Sequence, residues 1–468
     1  MTPEPNDLSG VSSERTAPPL ALRREAPTAQ TLGFQWGDKR YLYIYSNTDL
    51  VGRLSESQDV WRLEYEASWI NNPRGWDLSP ALPRAAHSLT DGSTLRPVQW
   101  FFDNLLPEEG MRSAIAKDAK IDHADAFGLL AHLGRESAGS LQLLGEGERP
   151  DEPEQSRPLS LQELSARIRN MPKVAIATTG PKRMSIAGAQ QKLLVGWDGS
   201  TLTEPVGSTP STHILKPDST TEGYPHSVIN EYAMMRLARD LDLEVPRVWR
   251  IYCPEPAYIV ERYDRAVAGG RHLRLHQIDT CQLLNLSRTF KYAQASMQAL
   301  QQAIEQTRNR TQTRLHLWRW LVFNALIGNH DSHLKNISYL VDEQGVRIAP
   351  SYDLLCTAVY HTPGYDLPPA WPQVDLAVPM PGAPRFADIT KESLLQAAED
   401  IGVPSTAANR ELQRTCSSVG PKLDAIMKNI DDENATMPRE VAVHQGGEMR
   451  LLRAIRHVIV RDMVDRLQ

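Results

Sequence analysis

The sequence predicts an α+β fold in two lobes, a β-rich one crossed by a single strong helix and a second, all-α one, with an extra β-rich subdomain ahead of both. Three observations predict it. Apolar runs at 192–197, 213–216, 248–252 and 257–262 read as strands, and 228–241 between them reads as a helix. Beyond Tyr263 the pattern turns helical, apart from a strand pair at 337–340 and 346–349. The stretch GEGERPDEPEQSRPLS, starting at Gly145, is polar and proline-rich and marks a boundary.

Upstream of that boundary, YLYIY from Tyr41, VGRL from Val51 and WRLEY from Trp61 suggest short antiparallel strands. FFDNLLPEEGMRSAIA, starting at Phe101, reads as helix broken at Pro107, and a second helix is expected over 123–133. The chain's 468 residues exceed what one core supports. The expected division is a flexible tail over 1–36, a subdomain over 37–145, a linker over 146–160, a β-rich lobe over 161–264 and a helical lobe over 265–468. A charged amphipathic helix is expected over 448–467.

Composition narrows the function classes. Fifty-one basic against 57 acidic residues give a formal charge of −6, so a free-standing nucleic-acid binder is not the first expectation. Cys253, Cys281, Cys356 and Cys416 form no CxxC pair, which argues against a zinc site or disulfide scaffold and fits a reducing cytoplasm. The first residues carry no apolar signal region, and the longest apolar run, 320–328, is interrupted by Asn324 and too short to span a bilayer, so no membrane association is expected.

The sharpest motif is Asn329-His330-Asp331-Ser332-His333-Leu334-Lys335-Asn336, directly after an apolar helix over 315–327. Phosphoryl transfer needs a carboxylate to orient the attacking hydroxyl and oxygen ligands to hold magnesium against the phosphates. Protein kinases place a metal-binding Asn five positions after the catalytic Asp, the spacing of Asp331 and Asn336. A second metal carboxylate is expected after a short hairpin, where Pro350-Ser351-Tyr352-Asp353 lies. His333 stands where many kinases carry a lysine facing the γ-phosphate, and Lys335 is a further nearby cation. The same His-Asp-x-His run is open to another reading, as a metal site of N and O ligands.

Three segments support a nucleotide site. Ser185-Ile186-Ala187-Gly188-Ala189-Gln190-Gln191-Lys192 is small enough for backbone N–H groups to approach a phosphate, although the same composition makes an ordinary turn. Lys216 ends a strand with a cation suited to α- and β-phosphates, and Glu231 in the following helix is placed either to orient it or to favour the helix dipole. Glu261-Arg262-Tyr263 closes an apolar strand and suits a hinge that reads adenine through its backbone, or a plain strand end.

Taken together these segments resemble the HipA family of toxin kinases, with SIAGAQQK like its phosphate loop, HILK its ATP lysine and VERYDR its hinge. GNHDSHLKN and SYDLL are similar to its catalytic and metal-binding segments, and VGRLSESQDVWRLEYEASW and LLAHLGRESAGSLQL to its N-terminal subdomain. The resemblance implies a bilobal protein-kinase-like fold and an ATP- and Mg2+-dependent serine/threonine kinase. It makes Asp331, assisted by His333, catalytic, and Asn336 and Asp353 magnesium ligands. It places Ala187, Gly188, Ala189, Gln190, Gln191, Lys192, Lys216, Glu261, Arg262, Tyr263, His333, Leu334, Lys335, Asn336, Tyr352 and Asp353 around ATP, and makes Ser185 an autophosphorylation site. It further implies a protein substrate, an aminoacyl-tRNA synthetase of the glutamyl type. The implied partner is a small helix-turn-helix antitoxin like HipB, with DNA reached only through it and a homodimer inside that complex. The chain departs from the family at Ile278, where an acidic residue is common, and in LSRTFKYAQASM, which lacks a glycine-containing stretch after Lys291-Tyr292. Two other classes stay open: a kinase of the same fold acting on a lipid or small molecule, and a non-catalytic nucleotide-binding co-regulator.

Overall fold

Residues 39–150, 154–171, 190–365 and 367–468 are described by the computed structural model, and all of them belong to one unit, Gly37–Gln468. The tail expected over 1–36, and Ser185, Ala187, Gly188 and Ala189, lie outside the described residues.

The first layer is an antiparallel sheet. Strands β1 (Arg40–Ser46), β2 (Asp49–Ser57) and β3 (Val60–Tyr65) form a meander, helix α1 (Ala67–Ile70) follows, and β4 (Ser88–Thr90) and β5 (Leu141–Leu144) complete the order β4-β3-β2-β1-β5. Alternation sends Leu42 and Ile44 of β1 and Trp61 and Leu63 of β3 into a core covered by α2 (Pro97–Asp103), α3 (Glu109–Ala119) and α4 (Ala126–Leu133). Pro97 opens α2, where its missing N–H costs nothing. The proline break expected at Pro107 falls between α2 and α3. At α4 the Asp125 carboxylate accepts from Gly128 N at 2.9 Å, an N-cap that fixes where the helix starts.

The second layer is a six-stranded antiparallel sheet. β6 (Gln155–Pro158) precedes α5 (Leu161–Asn170), β7 (Leu193–Trp197), β8 (Leu202–Val206), β9 (His213–Pro217), α6 (Ser227–Asp240), β10 (Val248–Tyr252) and β11 (Pro256–Glu261). Their order is β10-β11-β9-β7-β8-β6. Part of the segment read as linker is therefore a strand: Gln155 to Pro158 pairs with β8 at the sheet edge. Backbone pairing with β8 satisfies these N–H and C=O groups whatever the side chains' polarity, which is why composition did not show it.

The C-terminal lobe is mainly helical, with α7 (Thr280–Leu283), α8 (Met297–Glu305), α9 (Arg310–Ile327), α10 (Lys391–Asp400), α11 (Ser405–Asn434), α12 (Ala442–Ala454) and α13 (Arg461–Leu467). The expectation of an all-α lobe needs correcting. Besides the anticipated pair, here β15 (Ser338–Asp342) and β16 (Gly345–Ile348), it holds β14 (His276–Asp279) on the edge of β15 and two hairpins, β12 (Arg265–Ala268) with β13 (Arg271–Arg274) and β17 (Asp375–Met380) with β18 (Ala383–Arg385). These strands are only three to six residues long, too short to show a period against the surrounding helices. The amphipathic run expected over 448–467 is helical but passes through one π-helical stretch, Ile455–Val460.

Helix α9 is apolar on most sides because it runs through the core. Trp318, Trp320, Leu321 and Phe323 are all buried, each large apolar side chain contributing about 1.5–3 kcal/mol. It ends at Gly328, whose φ of +69° is left-handed, and a Cβ there would sit 2.7 Å from Ile459 Cγ2. That abrupt stop delivers the next residues to the cleft between the lobes.

Candidate active site

The segment after Gly328 is folded by its own side chains. Asn329 donates to Asn324 Oδ1 at 2.8 Å and accepts from Asp331 N at 3.2 Å, and His330 N donates to Thr357 Oγ1 at 2.8 Å. Asn336 Nδ2 then reaches back to the Asp331 carbonyl at 2.8 Å, so the residues five apart in sequence are locked together. The Asp331 carboxylate accepts a hydrogen bond from the Tyr292 hydroxyl, and the Tyr292 ring stands edge-on to His333 with centroids 4.9 Å apart.

The strand pair β15–β16 returns the chain to the same place and presents Asp353. Across the cleft, Lys216 in β9 donates to Glu231 of α6 at 2.8 and 3.0 Å and to Asp353 Oδ1 at 2.5 Å. Asp353 holds φ = +58°, a left-handed conformation uncommon for non-glycine residues but one that Asp tolerates better than most. One ammonium thus faces two carboxylates, and the titration divides them. Burial pushes the Glu231 carboxyl up to about 7 despite Lys216. Burial also disfavours ionised Asp353, but the Lys216 ammonium outweighs it and holds that carboxyl below its usual range. Burial and then the neighbouring Lys216 push Lys192 down to about 8. At Asp331 burial raises the carboxyl, opposed by His333 and Tyr292, while burial lowers His333.

These groups line one cleft of about 840 Å³, within the range of nucleotide-sized pockets. Gln190, Gln191, Lys192, Lys216, the 261–263 segment, Asp331, His333, Lys335, Asn336, Tyr352 and Asp353 all contribute to its wall. The Tyr263 and Tyr352 rings stack at 5.8 Å on one side. Leu334 is placed differently: it is fully buried in the core and contributes a backbone N–H to the Lys291 carbonyl.

Two charged groups in this wall are engaged inside the fold. The Lys335 ammonium is buried and donates to Asn104 O at 3.0 Å, Asn104 Oδ1 at 2.8 Å and Asp279 Oδ2 at 2.7 Å, which uses its three protons. The Arg262 guanidinium joins Glu136, Ser137 O, Ser211 and Asp264, tying the first sheet's layer to the second. At the hinge the N–H groups of Glu261 and Arg262 already donate to Arg247 O and Thr212 O, each at 2.9 Å. The Glu261 carboxylate pairs with Arg247 at 2.8 and 2.9 Å.

Sequence reading missed Glu108, Lys291, Tyr292 and Tyr224 in the cleft wall. Glu108 belongs to the first-sheet subdomain, and no local pattern signals a contact across such a separation. Lys291-Tyr292 was visible only as a family-like dipeptide.

A search of family models finds the HipA N-terminal domain over residues 42–144 and the HipA-like C-terminal domain over 184–423. The chain is 32% identical over 409 residues to Y4mE of Sinorhizobium fredii, covering 84% of this chain and 93% of that protein. It is 30% identical over 331 residues to the serine/threonine-protein kinase toxin HipA of Shewanella oneidensis, covering 66% of this chain and 74% of that protein. Among solved structures, HipA of Shewanella oneidensis MR-1, in a complex with HipB and its operator DNA, superposes with a TM-score of 0.71 at 25% identity. That superposition covers 91% of this chain and 99% of the other. The chain belongs to the HipA-like family of serine/threonine kinase toxins.

Proposed function

We propose that this chain transfers the γ-phosphoryl group of ATP to a serine or threonine hydroxyl of a protein, with magnesium, as the toxin of a pair with a HipB-like helix-turn-helix antitoxin. The observation that carries the reading is the convergence of Lys216, Glu231, Asp331, Asn336 and Asp353 on one cleft. The donor chemistry fits both groups. Asp353 offers a carboxylate, and Asn336, whose amide nitrogen is spent on Asp331, keeps its carbonyl oxygen; magnesium takes few protein oxygens and completes its shell from phosphates and water. When bound, the metal neutralises charge on the phosphates and orients them.

The chain's own residues do the remainder. Lys216, set by Glu231, offers its charge to the α- and β-phosphates; His333 and Lys192 face the transferring end. The partly buried Asp331 carboxylate accepts the hydrogen bond of the incoming hydroxyl and then its proton, and burial has already raised its basicity toward that task. Glu261 to Tyr263 and Tyr352 wall the base and sugar. Ser185, Ala187, Gly188 and Ala189 keep their proposed roles as autophosphorylation site and phosphate loop.

The proposed substrate is an aminoacyl-tRNA synthetase, the glutamyl enzyme first, in the cytoplasm. The relative whose complex contains HipB and its operator DNA supports an antitoxin partner; a DNA contact made only through that partner and a homodimer inside the assembly are further parts of the proposal. The test is incubation with γ-labelled ATP and Mg2+ against glutamyl-tRNA synthetase, a panel of other synthetases, and lipid and sugar acceptors. Label on a synthetase supports the reading; label only on a lipid or small molecule, or ATP bound but never consumed, overturns it. Asp331→Asn is expected to cut turnover by about 10²–10⁴-fold with ATP affinity nearly intact.

A further inference from the structure

Asp331 is held by something outside its own loop. The residues 288–292 run as a strap between the first-sheet subdomain and the catalytic segment. On one side Arg288 pairs with Asp103 at 3.0 Å and Lys291 with Glu108 at 2.6 Å. On the other, the Lys291 carbonyl accepts from Leu334 N at 3.2 Å, and the Tyr292 hydroxyl donates to Asp331 Oδ1. The edge-on contact with His333 fixes the ring's second side.

We propose that Tyr292 is a positioning residue for phosphoryl transfer: held by the Glu108–Lys291 pair, its hydroxyl fixes one oxygen of the Asp331 carboxylate so that the other faces the acceptor hydroxyl. The inference rests on the function proposed above. A carboxylate has two oxygens, and among the described residues Tyr292 is the side chain that hydrogen-bonds the Asp331 carboxylate, on Oδ1. Free rotation of that group would scatter the approach angle of the hydroxyl, and small misplacements of a reacting group are costly. Tyr292 is 46% exposed, so its ring is not packed as core, and the hydroxyl's contact with Asp331 gives it a use there. A further consequence is that the N-terminal subdomain supplies part of the catalytic geometry, because Glu108 lies beyond the sheet of the nucleotide lobe.

The balance of the step is unchanged. The acceptor O–H proton passes to Asp331 Oδ2, the new O–P bond forms as the bond to ADP breaks, and the Tyr292 proton stays on Tyr292.

Tyr292→Phe tests this in the full chain, by kcat and KM for ATP and acceptor, alone and in the Asp331→Asn background. The expected result is kcat lowered about 10- to 100-fold with KM for ATP within about twofold, and little further loss in Asp331→Asn. Unchanged or increased kcat in Tyr292→Phe overturns the proposal, the increase marking Tyr292 as a plug in the acceptor site. So does an equal loss in both backgrounds, which places its action elsewhere. A second measurement needs no acceptor: the Tyr292 hydroxyl proton, assigned by its loss in Tyr292→Phe, is expected to be protected from solvent exchange in the unsubstituted chain and exposed in Asp331→Ala, which removes the accepting oxygen. Fast exchange in both overturns the proposal even if the acceptor is of another class, and protection supports it independently of which acceptor is phosphorylated.

Discussion

Lys216 and Lys335 are both buried lysines with carboxylates at hydrogen-bond distance, and both line the same cleft, yet they are built for different work. Lys335 has its three protons committed to groups inside the fold: the Asn104 carbonyl, its amide oxygen, and Asp279, which also caps a helix. Lys216 shares its protons between Glu231 and Asp353, and Asp353 is the carboxylate proposed above to hold magnesium. Removing Asp353 from Lys216 frees a donor toward the cleft; no equivalent exchange is open to Lys335. Burial and charge are alike at the two sites, so what separates a binding lysine from a holding one is whether its partner has a second destination.

The largest break in that comparison is expected on the exchangeable side. Asp353→Asn should lower phosphoryl transfer by about two orders of magnitude or more, the several kcal/mol a positioned metal supplies, and weaken magnesium-ATP binding in calorimetry. Its unfolding midpoint in urea should move little. Lys335→Met should do the reverse, leaving Asp279 buried without its cation and costing about 3–5 kcal/mol of stability by the same titration. If Lys335→Met unfolds like the unsubstituted chain and instead loses ATP affinity, Lys335 is a nucleotide contact after all and the contrast collapses.

A third measurement probes the holding side through pH. His276, next to the Lys335 region in β14, stacks on Trp76 at 3.9 Å and has Nε2 2.9 Å from the Leu78 carbonyl. Burial pushes it down to about 4. The folded value lies below the unfolded one of about 6.5, so its full contribution is present above 6.5 and is lost as pH falls toward 4, by roughly 3 kcal/mol. Thermal melts between pH 7 and 4.5 should fall, and His276→Phe should flatten that fall. The smallest effect is expected at the hinge. Arg247 is 69% exposed in its pair with Glu261, so Arg247→Ala should change stability by no more than about 0.5 kcal/mol and leave KM for ATP alone.

What was legible in the sequence was the part written in local periods and fixed spacings. The 3.6-residue pattern gave α6 to within a residue at each end, and β10 is the expected 248–252 run. Asp331 and Asn336 were readable because a five-residue separation is itself the geometry, closed by a side-chain hydrogen bond. Tertiary demands were not readable. Lys335 read as a cation near the phosphates because Asn104, more than two hundred positions away, is invisible to any window; the Arg262 guanidinium's contact with Glu136, more than a hundred positions away, is equally hidden. Gln155 to Pro158 read as linker because edge pairing is a backbone property that composition does not record.

Asp353 sits at a φ of +58°, and this bears on how inactive versions of the chain should be made. Asn shares with Asp a tolerance of that left-handed turn, whereas Ala pays a penalty there of about 1–2 kcal/mol on top of losing the carboxylate. An alanine knockout would therefore combine a chemical lesion with a kinked polypeptide, and a silent result in a growth assay would be open to two explanations. The asparagine exchange removes the charge while keeping the main chain where it belongs, and makes the cleaner control.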